Sequence, residues 1–280
     1  MYRLNPKLFD LNYTLDCGQV FRWKRDGDWW TGVVGGQVIR LSQDSGELVV
    51  DSELPPDFFT HYFRLDDDLP SIYESINRDL LIDRAICKYR GLRLIRQDPW
   101  ECLISYMLAT ASSIPTIQKR IHLLSQFLGE ELEPGYFSFP DPETLANANP
   151  STLEKCKLGF RTRNIKAAAE EVASGELELN VLFRLEYRYA RERLMRLRGI
   201  GEKVADCVLL FAFEKMEAFP VDTHIRQIIQ HYHIDDEIFE NCTNLSKMRS
   251  WGREYFGPYC GYAQEYLYYQ KRVEGFVSLY

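Results

Sequence analysis

The sequence predicts an α+β fold in which an N-terminal antiparallel β-sheet domain precedes an all-helical domain. In roughly the first 50 residues, short β-branched and aromatic runs alternate with glycine turns, until Pro55-Pro56 ends the pattern. Beyond that point apolar residues recur at helical spacing, and several segments begin with residues that cap helices. We therefore expect two domains, which span residues 1–95 and 96–280.

Four strands are predicted in the first domain because each apolar run is bounded by residues that favour turns. The runs are Val20 to Trp23, Trp29 to Val34, Gln37 to Leu41 and Glu47 to Val50. The turns between them are Asp26-Gly27, Gly35-Gly36 and Asp44-Ser45-Gly46. Such pairs allow the positive φ angles of tight hairpins, so the strands are expected to pair antiparallel.

Helix starts mark the second domain. In Asp98-Pro99-Trp100-Glu101, the aspartate can cap, the proline fits the first helical position and the glutamate completes a capping box. Asp141-Pro142-Glu143 repeats this arrangement, and Pro258 opens a tail helix over 258–273. We expect that tail helix to pack back on the functional pocket.

Composition excludes several classes of protein. The 280 residues contain no apolar run of about eighteen, and the N-terminus lacks the apolar segment of a signal peptide, so neither a membrane span nor secretion is expected. Seven scattered cysteines without a Cys-x-x-Cys pair argue against disulfides and metal clusters. We therefore expect a reducing intracellular compartment.

Basic residues cluster locally although the net charge is −7. One cluster comprises Lys155, Lys157, Arg161, Arg163 and Lys166, and the other comprises Arg191, Arg193, Arg196, Arg198 and Lys203. Each cluster alone is typical of solvated helix faces. The second cluster adjoins a glycine pair, which favours an interaction with DNA phosphates.

That glycine pair lies just before a predicted helix. Gly199 and Gly201 flank Ile200, and apolar residues recur at helical spacing from about Glu202 onward. Two glycines this close permit a tight reversal whose backbone N–H groups can approach an anion. The partial positive charge of the helix N-terminus acts at the same place. A nucleic-acid phosphate is the expected ligand.

A lysine and an aspartate flank this helix. Lys203 and Cys207 are separated by four residues, which places them on one helix face, and Asp222 stands where the next helix would begin. The functional interpretation is covalent chemistry by an activated amine beside a carboxylate. The alternative is that Lys203 contacts phosphate, Cys207 fills the core and Asp222 only caps a helix.

Five ordered blocks resemble the helix-hairpin-helix DNA glycosylases, and within them the 8-oxoguanine DNA glycosylases. The blocks are Cys17-Gly18-Gln19-Val20-Phe21-Arg22-Trp23, Arg96-Gln97-Asp98-Pro99-Trp100-Glu101-Cys102, Leu158-Gly159-Phe160-Arg161-Thr162-Arg163, Leu197 to Cys207 with Val221-Asp222-Thr223-His224, and Gly257-Pro258-Tyr259-Cys260-Gly261-Tyr262-Ala263-Gln264. Endonuclease III-like relatives usually carry a four-cysteine iron–sulfur loop, whereas only Cys242 and Cys260 follow the motif here. Alkylation-repair relatives lack the lysine that stands at Lys203.

The resemblance implies a bifunctional glycosylase/lyase of base excision repair. The damaged nucleotide is flipped out of the duplex, Lys203 attacks the sugar C1′ and displaces the base, and β-elimination from the Schiff base nicks the strand. Attack requires a neutral amine, so we expect the pKa of Lys203 to lie below its usual ~10.4, through burial or nearby positive charge. Asp222 would stabilise the positive charge that develops on the sugar.

Base recognition follows from the same resemblance. The Gly18 carbonyl would accept the N7–H that distinguishes 8-oxoguanine from guanine, and Gln264 would read the pairing edge. Tyr268 stands where the family has a stacking phenylalanine, Cys207 would pack on the opposite face of the base, and His224 would contact a phosphate. The alternatives are a turn at Gly18, an ordinary amphipathic helix at Gln264 and Tyr268, and a partly buried histidine at His224.

The chain departs from the family where the orphaned cytosine is held. Well-known members have an asparagine triplet followed by an arginine, whereas this chain has Ala111-Ser112-Ser113 and Thr116. Of the clamp residues Arg161 remains, beside Phe160 as an apolar wedge. Loss of bidentate contacts worth ~1–3 kcal/mol each predicts a relaxed preference for the base opposite the lesion.

The expected partner is double-stranded DNA that contains 8-oxoguanine, bound by a monomer without a membrane association. The expected location is therefore a reducing intracellular compartment that holds DNA, either the cytoplasm of a prokaryote or a nucleus. We expect no catalytic cofactor or metal, although backbone carbonyls near Leu197 and Ile200 could hold a structural monovalent cation at the hairpin that contains Gly199 and Gly201. Two alternatives stay open. One is a glycosylase for another oxidised or alkylated base, and the other is a non-enzymatic module that binds damaged DNA.

Overall fold

A computed structural model describes residues 1–232 and 244–277, and Cys242 lies outside these ranges. The N-terminal part is a five-stranded antiparallel sheet with the order β1-β5-β4-β3-β2. Its strands are β1 (Tyr2–Leu4), β2 (Lys24–Asp26), β3 (Trp29–Val34), β4 (Gln37–Asp44) and β5 (Glu47–Asp51). The predicted N-terminal antiparallel sheet is therefore confirmed.

One predicted strand is wrong. Val20 to Trp23 form no strand; the sheet instead begins its second strand at Lys24, and an additional strand, β1, pairs with β5. Phe21 and Trp23 are buried by packing rather than by pairing. A Cβ at Gly32 would lie 2.5 Å from Trp23, so the absence of a side chain there makes room for the indole on the sheet.

Four helices accompany the sheet in the N-terminal part of the chain. They are α1 (Leu11–Asp16), α2 (Pro56–Tyr62), α3 (Leu69–Ile76) and α4 (Leu80–Lys88). The sheet residues Trp30, Leu41 and Val50 share a core with α1 and α2. By contrast, α3 and α4 belong to the larger core of the helices that follow.

Within the described residues that follow, the chain is helical apart from short turns and a small two-stranded ribbon. The helices are α5 (Pro99–Ala109), α6 (Ile114–Leu128), α7 (Pro142–Asn147), α8 (Pro150–Lys155), α9 (Thr162–Ala173), α10 (Val181–Arg184), α11 (Tyr187–Met195), α12 (Glu202–Ala212), α13 (Thr223–Tyr232), α14 (Leu245–Phe256) and α15 (Cys260–Glu274). The ribbon comprises β6 (Glu131–Glu133) and β7 (Tyr136–Phe137). Short 3-10 turns cover Gly159–Arg161 and Gly257–Tyr259.

The predicted helix starts at Pro99 and Pro142 are confirmed, whereas Pro258 lies in a 3-10 turn and the tail helix begins at Cys260. The Asp98 carboxylate accepts the Glu101 backbone N–H at 2.8 Å, and Asp141 caps α7 in the same way. The expected capping box is wrong in one respect, since the Glu101 carboxylate pairs with Arg22 at 2.8 Å. That ion pair ties α5 to the segment before β2.

The tail helix α15 lies at the centre of the helical core. Tyr262 and Tyr266 are fully buried on it, and α15 packs against α3, α4, α13 and α14. This arrangement brings residues from both ends of the chain to one place. The domain boundary at residue 95 stays a prediction. Within the described ranges, no helix is both long and apolar enough to cross a membrane.

Candidate active site

The two glycines form the predicted hairpin between α11 and α12. Gly199 has a φ of +87°, which favours glycine. A Cβ at this position would lie 2.2 Å from the side-chain amide nitrogen of Asn164, so the hairpin also requires the absence of a side chain. Gly201 then precedes α12, and Lys203 follows in its first turn.

A cavity of about 870 Å³ opens beside this hairpin and is lined by residues from six segments of the chain. It brings together nine of the eleven residues that the sequence singled out. They are Gly18, Gly199, Gly201, Lys203, Cys207, Asp222, His224, Gln264 and Tyr268. Phe160 and Arg161 lie outside it. A pocket of this size is in the range that accommodates a flipped nucleotide base.

Lys203 points its amine into an aromatic and anionic environment. Its Nζ lies 5.2 Å from the centre of the Tyr106 ring, and it donates a hydrogen bond to Cys207. Burial lowers the pKa of the ammonium, but Cys207, Asp222 and Glu265 together raise it by more. The expectation of a lowered pKa is therefore wrong for the free protein.

Asp222 occupies the cap of α13. The backbone N–H of Ile225 donates to its Oδ1 at 2.8 Å, and the N–H of Arg226 donates to its carbonyl at 2.9 Å. Its carboxylate forms no ion pair with Lys203, although the two residues line the same cavity. The cap fixes the carboxylate at a helix N-terminus, where negative charge is favourable.

Cys207 lies one helical turn after Lys203 and is buried. Burial raises the pKa of its thiol to about 12, against the opposing effect of Lys203. The side chain is therefore a protonated thiol at neutral pH.

Gly18 is held rigidly at the opposite wall. Its φ is +104°, and a Cβ there would lie 3.2 Å from Ile114 and 3.4 Å from Tyr268. Behind it, the Gln19 side chain donates to the carbonyls of Thr14 and Arg93 and accepts the Ile95 N–H. These bonds fix the backbone around Gly18. Its own carbonyl accepts no hydrogen bond from the residues that the structure describes.

The side chains of α15 complete the wall. Gln264 is buried, and its Oε1 has no hydrogen-bond partner within the described ranges. Tyr268 lies one turn later and meets His224 edge to face, with 5.4 Å between ring centres. The Nδ1 of His224 is also buried without a partner in the described part of the chain. Buried polar atoms without partners are uncommon, which is consistent with a cavity wall that binds a polar ligand.

Phe160 and Arg161 lie apart from the cavity. The Phe160 ring is 71% exposed, and the Arg161 guanidinium lies 4.1 Å from its centre. Arg161 itself is buried, and it donates to the carbonyl of Thr110 and, at 2.9 Å, to the hydroxyl of Ser112. The guanidinium thus holds the loop after α5 rather than pointing outward.

Glu265 is the residue of the cavity wall that the sequence reasoning missed. It is only 3% exposed and lines the cavity, and burial raises the pKa of its carboxyl to about 7. Its position three residues before Tyr268 would have placed both side chains on one face of the tail helix. The resemblance assigns no role to this position, so no family motif drew attention to it.

Comparison with known proteins identifies the family to which this fold belongs. A family model for the N-terminal domain of 8-oxoguanine DNA glycosylases matches residues 1–103, and the model for HhH-GPD superfamily base excision DNA repair proteins matches residues 109–248. The Clostridium acetobutylicum 8-oxoguanine glycosylase/lyase, in complex with double-stranded DNA containing cytosine opposite 8-oxoguanine, aligns with a TM-score of 0.88 and 32% identity. That alignment covers 94% of this chain and 92% of that chain.

Two further relatives are less similar in sequence. The N-glycosylase/DNA lyase OGG1 of Arabidopsis thaliana is 28% identical over 279 residues, which cover 92% of this chain and 76% of the relative. The N-glycosylase/DNA lyase of Saccharomyces cerevisiae is 28% identical over 281 residues, which cover 88% and 73% respectively.

The fold and the site therefore define a helix-hairpin-helix protein of base excision DNA repair. Within that class, the chain belongs to the 8-oxoguanine DNA glycosylase family. The prediction of an enzyme, a DNA N-glycosylase with lyase activity, is confirmed by this membership.

Proposed function

We propose that this protein removes 8-oxoguanine from duplex DNA and then cleaves the strand through a Schiff base on Lys203. The observation that carries the proposal is the position of Lys203, Cys207 and Asp222 in one cavity with the free carbonyl of Gly18. A pure DNA-binding module needs no buried amine beside a carboxylate. The solved complex of the clostridial relative supports the substrate.

The cavity supplies the parts that this reaction requires. The Lys203 amine attacks C1′, and the bond from C1′ to the base breaks with its electron pair leaving on the base. Asp222, fixed by the cap of α13, stabilises the positive charge that develops on the sugar. Collapse to the Schiff base then acidifies the neighbouring 2′ position, and loss of a proton there expels the 3′ phosphate.

Recognition of the lesion rests on acceptor groups. 8-Oxoguanine carries an N7–H that guanine lacks, and the Gly18 carbonyl offers an unpaired acceptor at the wall. Guanine would leave that acceptor without a donor and would place its own N7 lone pair against it. Gln264 reads the pairing edge, while Tyr268 and Cys207 enclose the base on its two faces. His224, beside Tyr268, contacts a phosphate near the flipped nucleotide.

Discrimination on the opposite strand is weak in this proposal. Ala111 lacks an amide, Thr116 lacks a guanidinium, and Arg161 is already bonded to the loop after α5. Phe160 remains as an exposed wedge that fills the space left by the flipped nucleotide. The protein acts on double-stranded DNA as a monomer, and the monovalent cation near Leu197 and Ile200 stays a prediction.

Borohydride trapping tests the mechanism. A duplex with a single 8-oxoguanine is treated with wild type and with Lys203→Gln, and covalent protein–DNA adducts are counted. A covalent band with wild type alone supports the Schiff base and identifies the nucleophile. Base release without a band from either protein would overturn the lyase step and leave Asp222 as the catalytic group. No base release at all would overturn the lesion assignment and favour another oxidised or alkylated base.

A further inference from the structure

The cavity contains a second carboxylate that the proposed mechanism does not use. Glu265 is buried on α15 and lines the cavity together with Lys203 and Asp222. Its carboxyl contacts the Cys17 thiol, whereas Oε1 has no hydrogen-bond partner among the described residues. An unpaired buried oxygen costs ~1–3 kcal/mol, so a structural role alone does not account for it.

The mechanism leaves one proton without a destination. Lys203 is charged in the free protein, since its pKa is raised, yet only the neutral amine can attack C1′. Some group of the cavity must therefore take a proton from the ammonium before the carbon–nitrogen bond forms. The protonation states of the surrounding residues decide which group that is.

Three of the anionic or acidic neighbours are poor acceptors. Asp222 has to stay ionised in the proposed mechanism, because its carboxylate stabilises the positive charge that develops on the sugar. Glu202 is held by ion pairs with Arg191 at 2.8 Å and Arg249 at 3.0 Å, which hold its pKa below the usual range. The Cys207 thiol is protonated, so it has no charge with which to attract a proton.

We propose that Glu265 accepts the proton of Lys203 before the amine attacks the sugar, an inference that rests on the proposed function. In this step an N–H bond of the ammonium breaks and an O–H bond forms on the carboxylate, so two oppositely charged groups of the cavity become neutral. The amine lone pair then forms the bond to C1′, and the base leaves with the electron pair of the glycosidic bond.

The surroundings of Glu265 suit it to this task. Burial raises the pKa of its carboxyl to about 7, while the Cys17 thiol, Arg272 and Lys203 oppose the rise and Asp222 adds to it. The same cavity also contains the titratable side chains of Tyr106 on α5, Tyr268 on the same helix and His224 on α13. A base whose pKa lies near the working pH transfers protons most effectively.

The pH dependence of covalent trapping tests this assignment. Wild type and Glu265→Gln are compared from pH 5.5 to pH 9 in single turnover, on a duplex with a preformed abasic site and on one with 8-oxoguanine. The abasic duplex removes base recognition from the measurement but still needs a neutral amine. Glu274→Gln is the matched control, because Glu274 lies on the same helix and pairs with Lys88 at 2.7 Å, away from the cavity.

Wild type and Glu274→Gln are expected to show a rate that rises through about pH 7, where Glu265 becomes ionised. With Glu265→Gln, this rise of the rate with pH (the pH limb) should be absent on both substrates. Covalent trapping at pH 8 should be about 100-fold slower, which is the rate loss expected when a general base is removed. Glu265→Asp, which keeps a carboxylate, should recover part of the limb. Cooperative unfolding of each variant shows that the fold is intact.

Several results would overturn the assignment. Glu265→Gln could keep the wild-type rate, or its rate could be lower by the same factor at every pH, which is the signature of a structural role. Removal of the limb by His224→Asn instead of Glu265→Gln would make His224 the acceptor. If wild type shows the limb on the abasic duplex but releases no 8-oxoguanine, the inference stands and only the proposed lesion fails.

Discussion

Asp206 on α12, the helix that carries Lys203, forms a buried ion pair with Arg249. The Arg249 Nε lies 2.5 Å from Asp206 Oδ2, and Asp206 is completely buried on α12. Oδ1 of the same carboxylate accepts the Tyr187 hydroxyl at 2.7 Å and the Arg191 Nε at 2.9 Å. This one carboxylate therefore ties α11 and α14 to the helix that carries Lys203.

Asp206→Ala is expected to destabilise the protein by about 3–5 kcal/mol, because it leaves two arginines without their buried partner. Urea unfolding measures the loss. Glu192→Gln is the control, since Glu192 forms an exposed pair with Arg188 at 3.1 Å. Such pairs contribute about 0.2–1 kcal/mol. Equal effects of the two substitutions would show that the buried network does not hold α12 in place.

Gly18→Ala is expected to slow excision of 8-oxoguanine by on the order of 100-fold, because a misplaced carbonyl no longer meets the N7–H. The added Cβ meets Ile114 and Tyr268 at a φ of +104°, so the backbone must shift. Trapping on an abasic site should be affected less, since no base is read there. Single-turnover assays on both substrates measure the difference.

Gly36→Ala is the control that separates the effect of backbone strain on stability from the effect of Gly18→Ala on base recognition. Gly36 also has a positive φ, +74°, but a Cβ there meets nothing within 4 Å. The strain of about 1–2 kcal/mol should lower stability and leave excision unchanged. Slow excision by Gly36→Ala would mean that the Gly18 result reflects stability rather than recognition.

The sequence was sufficient for features that depend on neighbouring residues. Gly199, Lys203 and Cys207 are ordered by one hairpin and one helix, and Asp222 lies at a cap that its position before Thr223 predicts. The strand predicted for Val20 to Trp23 is wrong because the aromatic residues of this run are buried against the sheet and the cavity. Arg22 in the same run pairs with Glu101, which lies far along the chain. Periodicity does not distinguish such packing from a strand.

The charge states of the site depend on contacts that are distant in sequence. The pKa of Lys203 is set partly by Asp222 and Glu265, which lie nineteen and sixty-two residues further along the chain. The direction of Arg161 depends on the loop after α5, whose carbonyl and hydroxyl groups it binds. Neither follows from residue type or spacing.

The protein is expected to excise 8-oxoguanine at nearly equal rates opposite C, A, G and T. Thr116→Arg should introduce a preference for C worth about 1–3 kcal/mol, because a guanidinium can bind the orphaned cytosine. Excision from four duplexes that differ only in the opposite base measures this. Lys119→Arg, an exposed change on the same helix, should leave the rates equal. A strong preference for C in wild type would contradict the first expectation.

The burial of Glu265 also predicts a pH dependence of stability. Its pKa is about 7 in the folded protein against 4.5 without burial, so between these values the folded protein holds a proton that the unfolded chain releases. The free energy of unfolding should therefore fall by about 3 kcal/mol from this group as the pH rises through that window. The free energy of unfolding of Glu265→Gln relative to wild type should therefore increase by that amount as the pH rises from 4.5 to 7.

Urea unfolding at pH 5 and pH 8 measures this change in relative stability. For Glu274→Gln the stability relative to wild type is expected to change in the opposite direction with pH. The pKa of Glu274 is lowered, against its own partial burial, by Lys88 and Tyr89. Its carboxylate therefore stabilises the fold at neutral pH and loses that contribution as the pH falls through its folded pKa. Glu274→Gln should be less stable than wild type at pH 8 and closer to it in acid. The contrary result is a stability difference between Glu265→Gln and wild type that does not change with pH. It would show that Glu265 is already ionised in the folded protein at pH 5. The carboxylate would then have to be paired with another group rather than free to take a proton.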